Sequence, residues 1–451
     1  MLVRKIDAVL EDFVKADNSK ALLITGARQV GKTFSVRKCG GSAFNNFVEI
    51  NFIENPGALE LFGNAMNSTD LLLRISALKG VTLVPGETLI FFDEVQECKD
   101  IVTAIKFLVE EGSYRYVLSG SLLGVELKDI RSMPVGYMDI IQMFPLDFEE
   151  FAMANGVSTD VMDTLKNCFT KRLPVDGLIH NKMLELFKLY LIIGGMPAPV
   201  STFLRTNNIK SVVLEQKSII EMYKKDISKY DPRNKLYLEN IFNLIPSELN
   251  SKNKRFIMKN VSNNFKLSRY DNSFIWLAEA GVALPAYSVS EPALPLLLSK
   301  SSNLFKLFLS DVGLLSSMYA NDIQIQILNN KININHGSIF ENVVAQELKA
   351  HGFDLYYFNS KKQGEVDFVI ERNGAVLPIE VKSGKDYTRH NALNSLLSTS
   401  NYDIPEAMVF SNGNVNRTGN IVYYPVYLIM FLEKGGIGGD VIYKPDFSAL
   451  A

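Results

Sequence analysis

The sequence predicts an α/β protein in three parts: a parallel-sheet domain over residues 1–150, a mainly helical region over 151–330 and a smaller α/β domain over 331–451. Three observations carry this prediction. From residue 21 to about 150, short apolar runs (ALLIT, FVEIN, TLIFFD, YRYVLSG, DIIQMFP) alternate with amphipathic stretches, as in β–α repeats that build a parallel sheet covered by helices. Between 151 and 330 the apolar residues recur at helical spacing. After NKININHG, one amphipathic helix is followed by strands, a helix and further strands.

Composition agrees with this plan and leaves the partner open. A chain of 451 residues exceeds what a single hydrophobic core organises, so more than one domain is expected. With 47% hydrophobic and 21% charged residues the chain belongs with ordinary globular proteins and not with disordered ones. A net charge of −2 gives no global sign of nucleic-acid or membrane binding, so any such contact must come from a local patch. Cys39, Cys98 and Cys168 form no CxxC pair, and the four histidines show no zinc spacing; a reducing cytoplasm is the expected location.

Taken in order, MLVRKIDAVLEDFVKADNSK reads as an amphipathic helix with Leu2, Ile6, Val9, Leu10 and Phe13 on its apolar side, and it lacks the pattern of a signal peptide. In the middle region the long helical candidates are LFKLYLIIGGMPAPV, EQKSIIEMYKKDISKYD and KLYLENIFNLIPSEL. Residues 254–289 suggest helix (KRFIMKNVSNNF), turn, helix (SRYDNSFIWLAEAG) and strand (ALPAYSV), the order of a winged helix, within a segment of about 250–290. It carries Lys252, Lys254, Arg255, Lys259, Lys266 and Arg269, which fit either a nucleic-acid-reading element or a solvated helical face. In the last region the elements are SIFENVVAQELKAHG (helix), DLYYFN, EVDFVIE and VLPIEVKSG (strands), a helix near NALNSLLST, and strands at EAMVFS and IVYYP. The run IVYYPVYLIMFL is too short to span a bilayer and reads as a buried strand.

The most specific motif is ALLITGARQVGKT. An apolar strand runs into Gly26, Ala27, Arg28, Gln29, Val30, Gly31, Lys32 and Thr33, with Phe34 following at the head of a helix-compatible stretch, which is the GxxxxGK[ST] phosphate loop in its required context. The glycines let backbone N–H groups converge on phosphates at a helix N-terminus, where the helix dipole also favours an anion. Lys32 is expected at the β- and γ-phosphates of ATP, and the Thr33 hydroxyl on magnesium. About sixty residues on, TLIFFDEVQEC is a strand ending in Asp93, the expected magnesium-side acid, and Glu94, the expected base or orienter of the attacking water. YRYVLSGS ends a further strand in Ser119 and Ser121, whose hydroxyls either sense the γ-phosphate and position the water or serve as turn formers and helix caps.

GARQVGKT, FFDEVQEC, LSGSLLGVEL, FPLDFEEF and YLIIGGMP, continued by YKKDISKYD, SIFENVVAQEL, GEVDFVI and IEVKSG, resemble the prokaryotic AAA-type ATPases joined to a C-terminal restriction-endonuclease-like domain of unknown function. The resemblance covers nearly the whole chain. It implies an AAA-like P-loop ATPase domain, a helical and winged-helix-like middle, and a terminal nuclease-fold domain; it also implies subunits that share active sites, hence a homo-oligomer. Many relatives carry an arginine where this chain has Tyr137, after Gly136, so an arginine that stabilises transition-state charge would have to be another, such as Arg131.

In the terminal region a turn at Arg372-Asn373-Gly374 lays Asp367 on one strand beside Glu380 and Lys382 on the next, and Glu380 and Lys382, two apart, share a face. Two carboxylates hold a hard divalent cation and a lysine orients or deprotonates water, the D…ExK arrangement of restriction-endonuclease-like nucleases. Glu341, on the preceding helix, occupies the place where relatives of that fold often carry another acid, with Glu365 and Gln363 as reserves. Acids and lysines that pair across a hairpin account for the same residues without chemistry. The expected function is therefore an ATP- and Mg-dependent ATPase acting on DNA or other nucleic acid as a switch or motor. The alternatives are an ATP-regulated divalent-metal nuclease, a nucleotide-dependent interaction module that cleaves nothing, and a small-molecule P-loop kinase. No membrane partner is expected.

Overall fold

A computed structural model of the chain describes residues 2–16, 20–63, 67–121, 136–230, 235–251, 254–256, 271–319, 323–329, 337–384, 386–399 and 401–435. They fall into two compact units. The first comprises 1–162, 185–285 and 307–346, and the second 163–184, 286–306 and 347–451. Arg131 and residues 252–253 and 257–270 of the winged-helix-like segment, which carry Lys252, Lys259, Lys266 and Arg269, lie outside the described residues.

In the first unit the five apolar runs form β1 (Ala21–Thr25), β2 (Asn46–Asn51), β3 (Thr88–Asp93), β4 (Arg115–Gly120) and β5 (Met138–Gln142), in the order β2-β3-β4-β1-β5 with every pair parallel. The central strands read as continuous apolar runs because helices cover both faces of such a sheet. Leu23, Ile50, Ile90, Phe92 and Leu118 are buried with Ile101, Ile105 and Leu108 of the helix Lys99–Glu111. Each fully buried side chain of this size contributes about 2 kcal/mol. Phe52, Phe62 and Phe92 pack with ring centroids 5.7–6.2 Å apart, edge-on and stacked. β4 lies between β1 and β3, so the C-terminal ends of these three strands, where Thr25, Ser119 and Asp93 stand, open on the same edge of the sheet.

The N-terminal helix is Lys5–Lys15, with Ile6 and Leu10 buried. FPLDFEEF starts the helix Phe148–Ala154 with a capping box: Glu150 N donates to Asp147 Oδ1 (2.9 Å) and Asp147 N donates to Glu150 Oε2 (3.2 Å). LFKLYLIIGGMPAPV, expected as one helix, is two. The helix Gly177–Ile193 stops at Gly194 (φ +71°), and Pro197 opens the helix Pro197–Thr206. A Cβ on Gly195 would lie 1.9 Å from Leu146 O, while Gly195 N donates to Asp311 Oδ2 at 2.6 Å. Close approach, not helix propensity, decides this turn. EQKSIIEMYKKDISKY lies in the helix Ile209–Tyr230, with Asp231 outside the described residues, and KLYLENIFNLIPSEL in the helix Lys235–Asn250.

The remaining strands are β6 (Ala283–Val289), β7 (Lys300–Leu309), β8 (Tyr356–Ser360), β9 (Gly364–Arg372), β10 (Ala375–Val381), β11 (Ala407–Ser411), β12 (Asn416–Thr418) and β13 (Ile421–Pro425), most of whose residues belong to the second unit. They form an eight-stranded sheet in the order β12-β13-β11-β10-β9-β8-β6-β7. ALPAYSV, expected as the strand of a winged helix, pairs in parallel with β8 in this sheet. β9 and β10 form an antiparallel hairpin through Asn373 (φ +50°) and Gly374 (φ +74°), the two left-handed residues that an Asn-Gly turn supplies. IVYYPVYLIMFL is a strand only as far as Pro425; without an N–H, proline cannot extend the ladder, and Val426–Phe431 turns into a buried 3₁₀ helix. Among the described residues no helix is long and apolar enough to cross a membrane.

Candidate functional site

The phosphate loop takes its shape from what crosses it. Gly26 (φ +140°) follows β1 where a Cβ would come within 2.2 Å of Met143 O, and Gly31 (φ +100°) is the left-handed residue that starts the helix Lys32–Ala43. Between them Val30 is fully buried, and its carbonyl accepts from Arg4 Nη1 at 2.9 Å. Arg4 also donates from Nη2 to Phe144 O (2.8 Å) and from Nε to Glu150 (3.1 Å), so the residue before the first helix clamps the loop from beneath. On another side Gly281 (φ +71°) approaches Ala27 so closely that a Cβ would stand 3.0 Å from its nitrogen.

Lys32 is buried, and its Nζ donates to Gly26 O (3.0 Å) and Ala27 O (2.9 Å). Burial lowers its pKa to about 8; Glu94 and Asp93 raise it in part, and the neighbouring charge of Arg28 lowers it further. Asp93 is 2% exposed and fully engaged. Its Oδ2 accepts from Thr33 Oγ1 (2.9 Å) and Asn51 Nδ2 (3.1 Å), and its Oδ1 from Glu94 N (3.1 Å) and the Ser119 hydroxyl. A threonine hydroxyl and a carboxylate this close are the hard oxygen donors that magnesium takes, so the residues fit that ion. The Ser119 proton is directed to Asp93 and fixes that carboxylate.

Glu94 adopts a left-handed backbone (φ +57°, ψ +46°), costing about 1–2 kcal/mol for a non-glycine residue, and opens the 3₁₀ turn Val95–Glu97, where Gln96 Nε2 donates to its carboxylate. Held in that conformation against its cost, the backbone sets the Glu94 side chain one step beyond Asp93. Ser121 is buried, with Arg28 Nε 3.4 Å from its hydroxyl. Phe34 is 55% exposed. Tyr137 donates to Glu110 Oε1 at 2.6 Å.

Gly26–Thr33, Asp93, Glu94, Ser119 and Ser121 thus stand at the C-terminal ends of the strands, whereas Tyr137 precedes β5 at the opposite end, its carbonyl accepting from Ala21 N. Arg4, Asn51 and Gly281 were not foreseen. Asn51 had a local signal, a polar residue closing an apolar strand beside the Asp93 strand, and it pairs with Asp93 in register. Arg4 and Gly281 act through contacts 26 and 254 positions away, which no local pattern reports.

In the second unit the hairpin brings Asp367 and Glu380 together. Ile379 pairs with Phe368, Asp367 Oδ2 accepts from Val381 N at 2.9 Å, and Glu380 is 3% exposed. Burial, then the adjacent Asp367 charge and a shared hydrogen bond, push the Glu380 carboxyl well up; Lys382, 3.2 Å away, offsets this in part. Two buried carboxyls held this way share a proton or take a cation. Of the reserves, Glu365 pairs with the buried Lys306 (2.7 Å), and Gln363 donates to Thr399 (2.7 Å). Glu341 belongs to the first unit, and its buried carboxylate forms an ion pair with the partly exposed Lys254.

The sheet order, the strand–loop–helix around Lys32 and the acid at the end of β3 define a P-loop ATPase-like domain. Residues 18–152 match a family model described as an AAA domain; residues 184–325 and 336–429 match two domains of unknown function, DUF8612 and DUF4143. No curated protein matches the chain. Similar solved structures include the Aeropyrum pernix Orc1 protein in complex with DNA (13% identity, 73% of this chain and 91% of that one, TM-score 0.26) and Cdc6p from Pyrobaculum aerophilum (11%, 73% and 93%, TM-score 0.25). PCH-2 of C. elegans is a third (14%, 36% and 53%, TM-score 0.23). At these scores the ATPase-like assignment rests on the AAA match and on the site itself.

Proposed function

We propose that the chain binds and hydrolyses ATP with magnesium and couples that cycle to nucleic acid. One observation carries the reading: Lys32 and Thr33 stand at the head of the loop helix with the Thr33 hydroxyl on Asp93. Lys32 and the loop N–H groups bind the phosphates, Thr33 and Asp93 hold magnesium, and Glu94 orients the attacking water. Bound magnesium neutralises charge that develops on the phosphoryl oxygens. Nucleic acid is proposed from the basic residues between Lys252 and Arg269. Lys32→Ala is expected to weaken ATP binding roughly 30-fold or more, since charge-assisted contacts to phosphate are lost. Unchanged affinity by equilibrium titration would remove the reading.

A second reading is favoured by the Asp367–Glu380 pair: a terminal domain of restriction-endonuclease-like fold with a divalent-metal nuclease site completed by Lys382. DNA in several forms, incubated with magnesium or manganese, is expected to be cut by the wild type and about 100-fold more slowly by Asp367→Ala and Lys382→Ala. Equal cutting by all three assigns the activity to a contaminant.

A further inference from the structure

The helix Ile209–Tyr230 lies against the phosphate loop through Met222, Tyr223 and Asp226, which share one helical face. Tyr223, 3% exposed, donates its hydroxyl to Arg28 O at 3.1 Å, and Gln29 Nε2 meets Met222 Sδ at 3.7 Å. The Arg28 guanidinium forms an ion pair with Asp226, the two side chains being 28% and 14% exposed. Neither the phosphate loop pattern nor the catalytic roles given above require an acid at this place.

An acid here has a direct electrostatic consequence. The loop is built to receive an anion, and Arg28 stands near enough to Lys32 to influence its charge. Asp226 cancels the Arg28 charge and so withholds it from an incoming polyphosphate. A triphosphate brings more negative charge than a diphosphate, so it competes more strongly for the guanidinium and loses more while the pair is closed.

We propose that Asp226 is a positioning residue that sets the discrimination between nucleoside triphosphate and diphosphate. It holds Arg28 on the helix, and a bound triphosphate draws Arg28 away, so that opening of the pair reports γ-phosphate occupancy to the helix Ile209–Tyr230. This inference rests on the ATP reading.

The test is equilibrium binding of fluorescent ATP and ADP analogues to the full chain, for wild type, Asp226→Asn, Asp226→Glu, Arg28→Gln and the Asp226→Asn/Arg28→Gln double variant. Asp226→Asn is expected to tighten ATP about tenfold and ADP about threefold or less. Asp226→Glu keeps the wild-type ratio, and the double variant matches Arg28→Gln within about twofold, because Asp226 acts through Arg28. An ATP-to-ADP ratio unmoved in Asp226→Asn, in protein that melts like the wild type, overturns the proposal. So does a double variant that keeps the full tenfold gain. Wild-type protein that binds neither nucleotide removes the ATP reading and this proposal together; binding of both with an unmoved ratio removes this proposal alone.

Discussion

Asp311 shows how a single side chain holds a motif in place. It is fully buried and accepts from Gly195 N (2.6 Å) and Leu314 N (2.8 Å), so it fixes the turn of YLIIGGMP and caps the helix Val312–Met318 together. Burial pushes its carboxyl from 3.8 up to about 6, against the pull of its backbone donors. An acid with a raised folded pKa keeps its proton after the unfolded chain has lost it. Its contribution is therefore fully present below pH 3.8 and is lost as pH rises to about 6, with no further change above. Subtracting the denaturation free energies of Asp311→Asn from those of wild type between pH 4 and 7 should give a difference that falls with rising pH and flattens near 6. A difference that rises over this window would contradict the assignment.

Among the elements, those with a strong local period were legible. The five strands of the first sheet and the hairpin β9–β10 lie where apolar runs and an Asn-Gly turn place them, because a buried parallel strand and a left-handed turn each leave a mark within a few residues. Elements decided by distant contact were not. The break at Gly194–Gly195 depends on the Leu146 carbonyl and Asp311, and LFKLYLII carries a helical pattern straight up to it. β6 reads as the strand of a local motif, yet its partner β8 begins 67 positions after it ends, at Tyr356. The site divides the same way. Lys32, Thr33, Asp93 and Glu94 followed from motif and strand ends, whereas Arg4 and the pairing of Arg28 with Asp226 needed the fold, since their partners come from other elements.

For the whole molecule, the proposal has the first domain turn over ATP, with Glu94 acting on water while Lys32, Thr33 and Asp93 hold the nucleotide and its ion. The left-handed backbone at Glu94 belongs with that claim, because strain persists where surrounding structure holds a side chain to a task. Replacing the carboxylate by its amide keeps the size and one acceptor oxygen and removes the base. The deciding measurement is steady-state ATP hydrolysis with magnesium for wild type and Glu94→Gln, alongside their ATP affinities. Turnover at least about 100-fold lower in Glu94→Gln, with ATP affinity preserved, is expected; equal turnover in the two proteins would rule out Glu94 as the group that acts on water.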